Sequence, residues 1–361
     1  MSWKLARPGT SRPERLSGVW EAEFGSRLRT GALELAAGAH DASHYLLIPR
    51  GVVKARSVDD VAAAMRLAQS EGLGVTFRSG GTSLSGQAGG DGVVVDVRGG
   101  FQSIAVLAGG QAARCGPGVT VRALNAALAP YGRMIGPDPA SAAAATIGGV
   151  VANNSSGMAC GTEFNSYATL AGLTVTLPSG STIDTTAADA AERLAALEPG
   201  LCAGLVRLRD RVRSNPESRR RIAAQYSMKN TMGYGVNSFV DFTEPIDILA
   251  HLMVGSEGTL GFISEVSLRT LAIEPRVATA LMTFARLADA SEAIEPLKQA
   301  GAKTLELMDA ASIRAARAAA KGADPLGRAA GDAQTALLVE LRAADRDGLD
   351  RGLAAVRRRL P

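Results

Sequence analysis

The stretch "VVKARSVDDVAAAMRLAQSEGLGVTFRSGG", residues 52–81, changes its hydrophobic period twice, and few folds can accept such a pattern. A short strand pattern at residues 52–55 gives way to apolar positions at helical spacing over residues 58–71, then to a second strand at residues 75–77. Ser57 with Asp60 three positions later is a capping-box-like start, and Gly72 stops the helix. Strand, helix and strand in that order make a βαβ unit, which commits the chain to a parallel pair of strands with a helix laid across them. "GVVVDV", residues 92–97, adds a buried strand. At 361 residues the chain exceeds the usual single core, so two domains, or one large α/β domain with an appendage, are expected.

Between the last two of these strands lies "FRSGGTSLSGQAGG", residues 77–90, with five glycines and four hydroxyl side chains in fourteen positions. Glycines after a strand expose successive backbone N–H groups and keep Cβ atoms out of a ligand's way, which suits a pyrophosphate. Neither G-x-G-x-x-G after a strand nor G-x-x-x-x-G-K-[ST] occurs, which disfavours a Rossmann site and a P-loop. Taken alone, the loop reads equally well as a flexible linker. It is not alone. "GPDPASAAAATIGGVVANNSSGMACG", residues 136–161, is also glycine-rich and polar, yet too apolar for a solvated linker. Its small alanines, Thr146, Gly148 and Gly149 let backbone touch a flat ring system, and Asn153, Asn154 and Ser156 offer hydrogen bonds to a polar edge. "MVGSEGTLGFISEV", residues 253–266, repeats the plan of small residues leading into a strand. Three such stretches make a ligand cradle the better reading.

The rest of the chain is organised around them. Residues 16–37 read as a helical lead-in; "SIAVL" and "QAARC" are strands; residues 121–128 form a helix; and Pro178-Ser179-Gly180 sits between alternating halves, a hairpin signal. Residues 187–221 turn helical and charged, as an insertion would. After Glu274 strand and helix patterns alternate, giving a smaller α+β domain with a split βαβ arrangement. The alanine-rich run near residues 315–320 is explained by helix propensity.

Partners follow partly from charge. The net charge of +4 comes from 39 basic residues scattered among 35 acidic ones, and the run Arg219–Arg221 has no interleaved aromatics, so nucleic-acid binding is not expected. Three cysteines, Cys115, Cys160 and Cys202, fit neither a disulfide framework nor a Cys-x-x-Cys site, which points to a reducing compartment and no iron-sulfur cluster or metal in this chain. "MSWKLARPGTSRPERL" has no apolar h-region behind its basic residues, and no run of 18 apolar residues occurs. The expectation is a cytoplasmic protein without an integral membrane segment, with peripheral contact at the inner membrane face left open.

"FRSGGTSLSGQA", "GPDPASAAAATIGGVVANNSSG" and "VGSEGTLGFISEV" together resemble the FAD-binding domain of the vanillyl-alcohol oxidase/p-cresol methylhydroxylase (PCMH) superfamily, and more narrowly its D-2-hydroxyacid dehydrogenase branch: D-lactate dehydrogenase, the glycolate oxidase FAD subunit and D-2-hydroxyglutarate dehydrogenase. "KNTMGYGVNSFVDF", from Lys229, resembles the subgroup in which the flavin module is fused to an iron-sulfur module. The resemblance implies an α+β fold: a PCMH-type FAD-binding domain of two α+β subdomains at residues 48–272, with a helical insertion near 187–225, after a lead-in at 1–47. An incomplete ferredoxin-like cap domain would follow at 273–361, which "LELMD", residues 305–309, supports.

By the same resemblance Ser79, Gly80, Gly81, Thr82 and Ser83 hold the pyrophosphate. Gly86, Gln87, Pro139, Thr146, Gly149, Asn153, Ser156 and Gly157 line the flavin and its ribityl chain; Glu257, Gly258 and Ile263 sit near the nucleotide end. Relatives that attach FAD covalently through the first loop place a histidine there; here the stretch is Gly80-Gly81-Thr82-Ser83, so noncovalent FAD is implied. The implied reaction is oxidation of a small D-2-hydroxyacid, D-lactate or D-2-hydroxyglutarate, with electrons passing to a cytochrome- or quinone-linked acceptor through an iron-sulfur or cytochrome partner. No catalytic base emerges. His40 and His44 precede the domain, and His251 sits in a helical pattern that suits a packed histidine. The family's metal and substrate elements, including an H-G-D-G-N-type motif, follow the cap and have no counterpart before Pro361. The alternative is therefore an FAD-binding module or subunit, or the front part of a longer enzyme, without independent turnover. Reduction of a sugar-nucleotide enol ether on the same scaffold finds no resembling substrate domain.

Overall fold

The computed structural model describes residues 15–320 and 334–359. The expected alanine-rich helix near residues 315–320 forms as Ala310–Ala319, whereas the N-terminal basic stretch through Glu14 lies outside the described residues. The chain divides into two compact units, Met1–Ser156 with Gly161–Leu271, and Gly157–Cys160 with Ala272–Pro361.

The first unit contains two sheets. In the first, Gly51–Lys54, Val93–Asp96 and Val75–Arg78 are parallel neighbours in that order, and the helix Val58–Ser70 makes the crossover that the period change predicts. Ser57 caps this helix by accepting from the Asp60 amide at 3.2 Å, and Asp60 in turn accepts from the Arg56 amide at 2.8 Å. Both donors would otherwise be orphans at the helix start.

The lead-in is more than helical. Between the helices Gly18–Phe24 and Ala32–Gly38, the two-residue strand Leu28–Arg29 pairs antiparallel with Gly51–Lys54. Trp20 and Phe24 are buried in the same core as Val53, Val61 and Val95, and Arg27 forms an ion pair with the buried Asp60. The lead-in thus completes the first sheet.

The second sheet runs Ile104–Leu107, Ala112–Cys115, Phe262–Ala272, Leu170–Thr176 and Thr182–Asp184, with Arg133–Ile135 also on Phe262–Ala272. The expected hairpin forms: Leu170–Thr176 and Thr182–Asp184 are antiparallel, and the Gly180 amide donates to Leu177 O at 2.8 Å across the turn. The helices Ala190–Leu197, Pro199–Ser214 and Pro216–Tyr226 occupy the expected insertion, and Leu194 and Leu205 anchor the first two in the main core.

Phe262, the first residue of the central strand of the second sheet, belongs to the first sheet's core. Its ring lies 5.1 Å from Phe77 and 5.3 Å from Phe101. One side chain therefore ties the strand that follows the third glycine-rich stretch to the strand that precedes the first.

The second unit is a three-stranded antiparallel sheet in the order Arg276–Phe284, Thr335–Ala343, Thr304–Met308. The first and last of these are parallel to each other with the third element in sequence between them, which is the expected split βαβ. The helices Leu287–Gln299 and Arg346–Arg359 bury Leu297, Leu349 and Val356 against Leu337, Val339 and Leu341.

Candidate functional site

The three glycine-rich stretches converge on a cleft of about 960 Å³ within the first unit. Hydrogen bonds fix their meeting. The segment around Thr146 runs against Pro117–Val121, with Ile147 N–H donating to Val119 O at 2.8 Å and Gly148 N–H to Pro117 O at 3.0 Å. Ser79 Oγ also donates to Pro117 O at 3.0 Å and contacts the Thr146 hydroxyl, while Gly80 N–H donates to Thr146 Oγ1 at 3.0 Å. On the other side, Gly255 N–H and Glu257 N–H donate to Val151 O at 3.0 Å and Ala152 O at 2.8 Å. Gln87 Nε2 closes the ring by donating to Glu257 Oε1 at 3.3 Å.

The first loop is held from behind by a residue that the sequence left unremarked. Arg78 is buried at the end of its strand and donates to three carbonyls: Ala88 at 2.8 Å, His40 at 2.9 Å and Gly38 at 3.2 Å. Asp41 accepts from the Ala88 amide at 3.3 Å. Burial pushes the Asp41 carboxyl up, but hydrogen bonds from Ser43 and Ala88 and the charge of Arg78 outweigh it and leave it below its ordinary value. The loop thus hangs from a fixed frame.

With the loop so held, the amides of Gly81, Thr82, Ser83 and Leu84 donate to no acceptor among the described residues. Gly81 is left-handed (φ +66°), the turn that lets successive N–H groups point one way. Lys229 and Glu257 are the charged side chains lining the cleft among the described residues. A diphosphate here would be met by backbone dipoles more than by side-chain cations. Gly80 and Gly149 both line the cleft. A Cβ at Gly80 would lie 2.5 Å from Ala144 O, whereas one at Gly149 would find nothing closer than Ser79 Cβ at 3.9 Å. Gly149 therefore lines the cleft without being required by a clash, and a residue without a side chain lets a ring system approach the backbone. Ser256, 1% exposed, lines the cleft with an Oγ that has no hydrogen-bond partner. An elongated group with an anionic middle, a flat end and polar edges fits these features, and FAD is such a group.

Glu257 is left-handed without being glycine (φ +53°), held by its amide bond and flanked by left-handed Gly255 and Gly258. Burial raises its carboxyl pKa, and the hydrogen bond from Gln87 opposes the shift.

Of the residues singled out in the sequence, Ser79 through Ser83, Gln87, Pro139, Thr146 and Gly149 line the cleft, as do Asn153, Ser156, Glu257, Gly258 and Ile263. Gly86 and Gly157 do not. Gly86 (φ +88°) gives its space to Tyr45, whose ring a Cβ would meet at 2.5 Å. Gly157 falls in the short segment that groups with the second unit. Asn154, expected at a ligand's polar edge, turns away, and its Oδ1 accepts from the Tyr167 amide at 3.2 Å. The wall formed by Lys229, Thr231, Met232, Gly233 and Tyr234 was not foreseen as part of the site, although its resemblance to the family had marked it. His251 is not in the cleft. It stacks on Phe242 at 3.8 Å, its Nδ1 lies 2.9 Å from Asp247 O, and burial lowers its pKa. Among the described residues no group of three or more His, Cys, Asp or Glu is placed to hold a metal ion, and no helix is long and apolar enough to cross a membrane.

Comparison with known proteins agrees with this geometry. Residues 49–186 match the FAD binding domain model and residues 273–360 the model for the C-terminal domain of FAD linked oxidases. D-2-hydroxyglutarate dehydrogenase of Pantoea ananatis is 31% identical over 63% of this chain and 23% of its own length. Glycolate oxidase subunit GlcD of Escherichia coli K12 is 27% identical over 84% of this chain and 50% of its own, and D-lactate dehydrogenase of Archaeoglobus fulgidus is 27% identical over 63% and 41%. The chain therefore spans about a quarter of the length of the first of these and half or less of the others. Among solved structures, alkyldihydroxyacetonephosphate synthase superposes with a TM-score of 0.65 over 99% of this chain and 62% of its own, at 17% identity, a likeness of fold. The cradle, the two-sheet architecture around it and the two matched models lead to one conclusion: the chain belongs to the FAD-linked oxidase family, with a PCMH-type FAD-binding fold followed by a cap domain built on a β-sheet.

Proposed function

We propose that the chain is the flavin-binding part of a dehydrogenase that holds FAD noncovalently and oxidises a D-2-hydroxyacid, D-lactate or D-2-hydroxyglutarate, to the 2-oxoacid. The observation that carries this reading is the row of four uncommitted amides, residues 81–84, in a cleft that Gly149 also lines. The names of the relatives supply the substrate class. Bound FAD would supply the acceptor for the hydride equivalent that leaves the hydroxyl-bearing carbon. The chain's own residues hold and orient. The amides of the first loop take the diphosphate; the Ser79–Thr146 and Gln87–Glu257 contacts keep the walls at fixed spacing; and Phe262 and Ile263 keep water from the inner end. Electrons would leave through an iron-sulfur or cytochrome partner to a cytochrome- or quinone-linked acceptor, in the cytoplasm or against the inner membrane face.

A second reading, an FAD module without its own turnover, is favoured by the chemistry of the cleft. Among the described residues it presents no histidine, and Glu257 is its one carboxylate. An anaerobic visible spectrum before and after adding D-lactate or D-2-hydroxyglutarate separates the two. A flavin spectrum that bleaches supports the dehydrogenase; a flavin that stays oxidised supports the module; a chain that takes up no FAD defeats both. Gly81→Leu, at a left-handed position, is expected to abolish flavin retention, and a yellow Gly81→Leu protein overturns the assignment of the loop.

A further inference from the structure

Beside the cleft lies a second cavity of about 470 Å³, and the two share Thr231, Gly233 and Gly255. The strip that joins the helices Pro216–Tyr226 and Ser238–Asp241 runs between them. Along it Met228 and Asn230 line the second cavity, Lys229 and Met232 line the cleft, and Thr231 and Gly233 line both. A single thickness of chain therefore has the cleft on one side and a cavity on the other. We propose that residues 228–233 are a lid on the cleft, which retracts into the second cavity to pass FAD and returns to cover it with Met232. The lid rests on the flavin reading of the cleft.

The strip is pinned at its ends and slack between them. At one end the Ser227 amide donates to Ala223 O at 3.1 Å and closes the helix. At the other, Tyr226 Oη donates to Tyr234 O at 2.7 Å and accepts from the Val236 amide at 3.2 Å, while Tyr234 Oη lies 2.8 Å from Thr259 Oγ1 in the third glycine-rich stretch. Between these pins, Lys229 apart, no backbone-to-backbone hydrogen bond holds residues 228–233 among the described residues. The Met232 amide donates to Asn230 Oδ1 at 3.0 Å, a bond internal to the strip that travels with it. A segment with so few anchoring bonds opens at low cost.

Gly233 and the two methionines fit the same motion. Gly233 is left-handed (φ +74°), and nothing lies within 4 Å of where its Cβ would be. The backbone angle asks for glycine there and packing does not, which suits a hinge. Met228 and Met232 are 68% and 78% exposed. An apolar side chain that lines a cleft while this exposed gains by covering what binds there, and methionine adapts its shape to what it covers.

Stopped-flow measurement of FAD uptake and release by the full chain, followed by flavin fluorescence, tests the lid. Ala223→Trp and Ala168→Leu add bulk on the wall of the second cavity, and neither residue lines the cleft. With less room for retraction, association and dissociation should both slow by about tenfold while Kd stays within about twofold of wild type. Met232→Ala removes the cover, so release should quicken by about tenfold, the scale of uncovering one methionine, with association little changed. Wild-type rates in both cavity-filling variants overturn the lid, as does wild-type release from Met232→Ala. A chain that takes up no FAD defeats the flavin reading and the lid with it; uptake of FAD with these rates unaltered defeats the lid alone.

Discussion

Two glycines that line the cleft, Gly80 and Gly149, are glycine for different reasons. At Gly80 the protein itself fills the space where a side chain would begin, with Ala144 O 2.5 Å from the position of a Cβ. At Gly149 a Cβ would fit, in ordinary contact with Ser79 Cβ at 3.9 Å. A glycine demanded by packing reports on how the cleft is built; a glycine that packing does not demand reports on what the cleft is for. The pair therefore separates stability from binding, which a sequence full of glycines cannot do.

Substitutions should pull the two apart. The largest effect is expected at Gly80→Ala. With backbone on the other side of the clash, the two walls must part, at about 2 kcal/mol of stability by chemical denaturation and with loss of FAD. Next is Arg78→Met, which removes the donor to Ala88, His40 and Gly38 and leaves buried carbonyls unpaired. It should also cost about 2 kcal/mol and should raise proteolytic nicking in residues 79–88. Gly149→Ala tests the other side of the comparison. It lies in the helix Ile147–Ala152, so the apo chain should be unchanged or more stable by about 0.5 kcal/mol while FAD affinity falls. If Gly149→Ala binds FAD as wild type does, Gly149 does not meet the ligand.

The smallest effect is expected at Glu257. Its folded pKa is raised, so the folded state holds the proton more tightly than the unfolded chain does. Its contribution to stability is then fully present below the unfolded value of about 4.3 and lost as pH rises through the folded value. Glu257→Gln in the apo chain should remove that decline and raise the melting temperature slightly near neutral pH. An unchanged pH profile would show that Glu257 is hydrated in solution.

Much of this was legible in the residues. The βαβ unit, the hairpin at Pro178-Ser179-Gly180 and the split βαβ of the second unit follow from hydrophobic period and turn chemistry, which are local. Convergence of the three glycine-rich stretches was legible because small residues in an otherwise apolar context have few other uses. The illegible parts are those decided at long range. Leu28–Arg29 is too short to show a strand period, and pairing with residues 52 and 53 makes it one. Arg78 is an ordinary arginine until three carbonyls from distant turns surround it. Gly86 looks like its neighbours in the loop, but the ring of Tyr45 claims its space. The strip from Lys229 to Tyr234 lacks the hydroxyl and glycine density of the other stretches, so local composition does not mark it as cleft wall.

The position of Phe262–Ala272 has a consequence for how the chain reaches its native state. This strand inserts between Ala112–Cys115 and Leu170–Thr176, two strands that precede it by about ninety residues or more, and its first side chain completes the aromatic cluster with Phe77 and Phe101. During synthesis those two strands wait with unpaired edges until the last quarter of the first unit's residues has been made. Closure of such distant pairings is slow, and the waiting edges are exposed to other chains. Expression should therefore depend on temperature and on the availability of chaperones, and a chain ended before residue 262 should accumulate as aggregate.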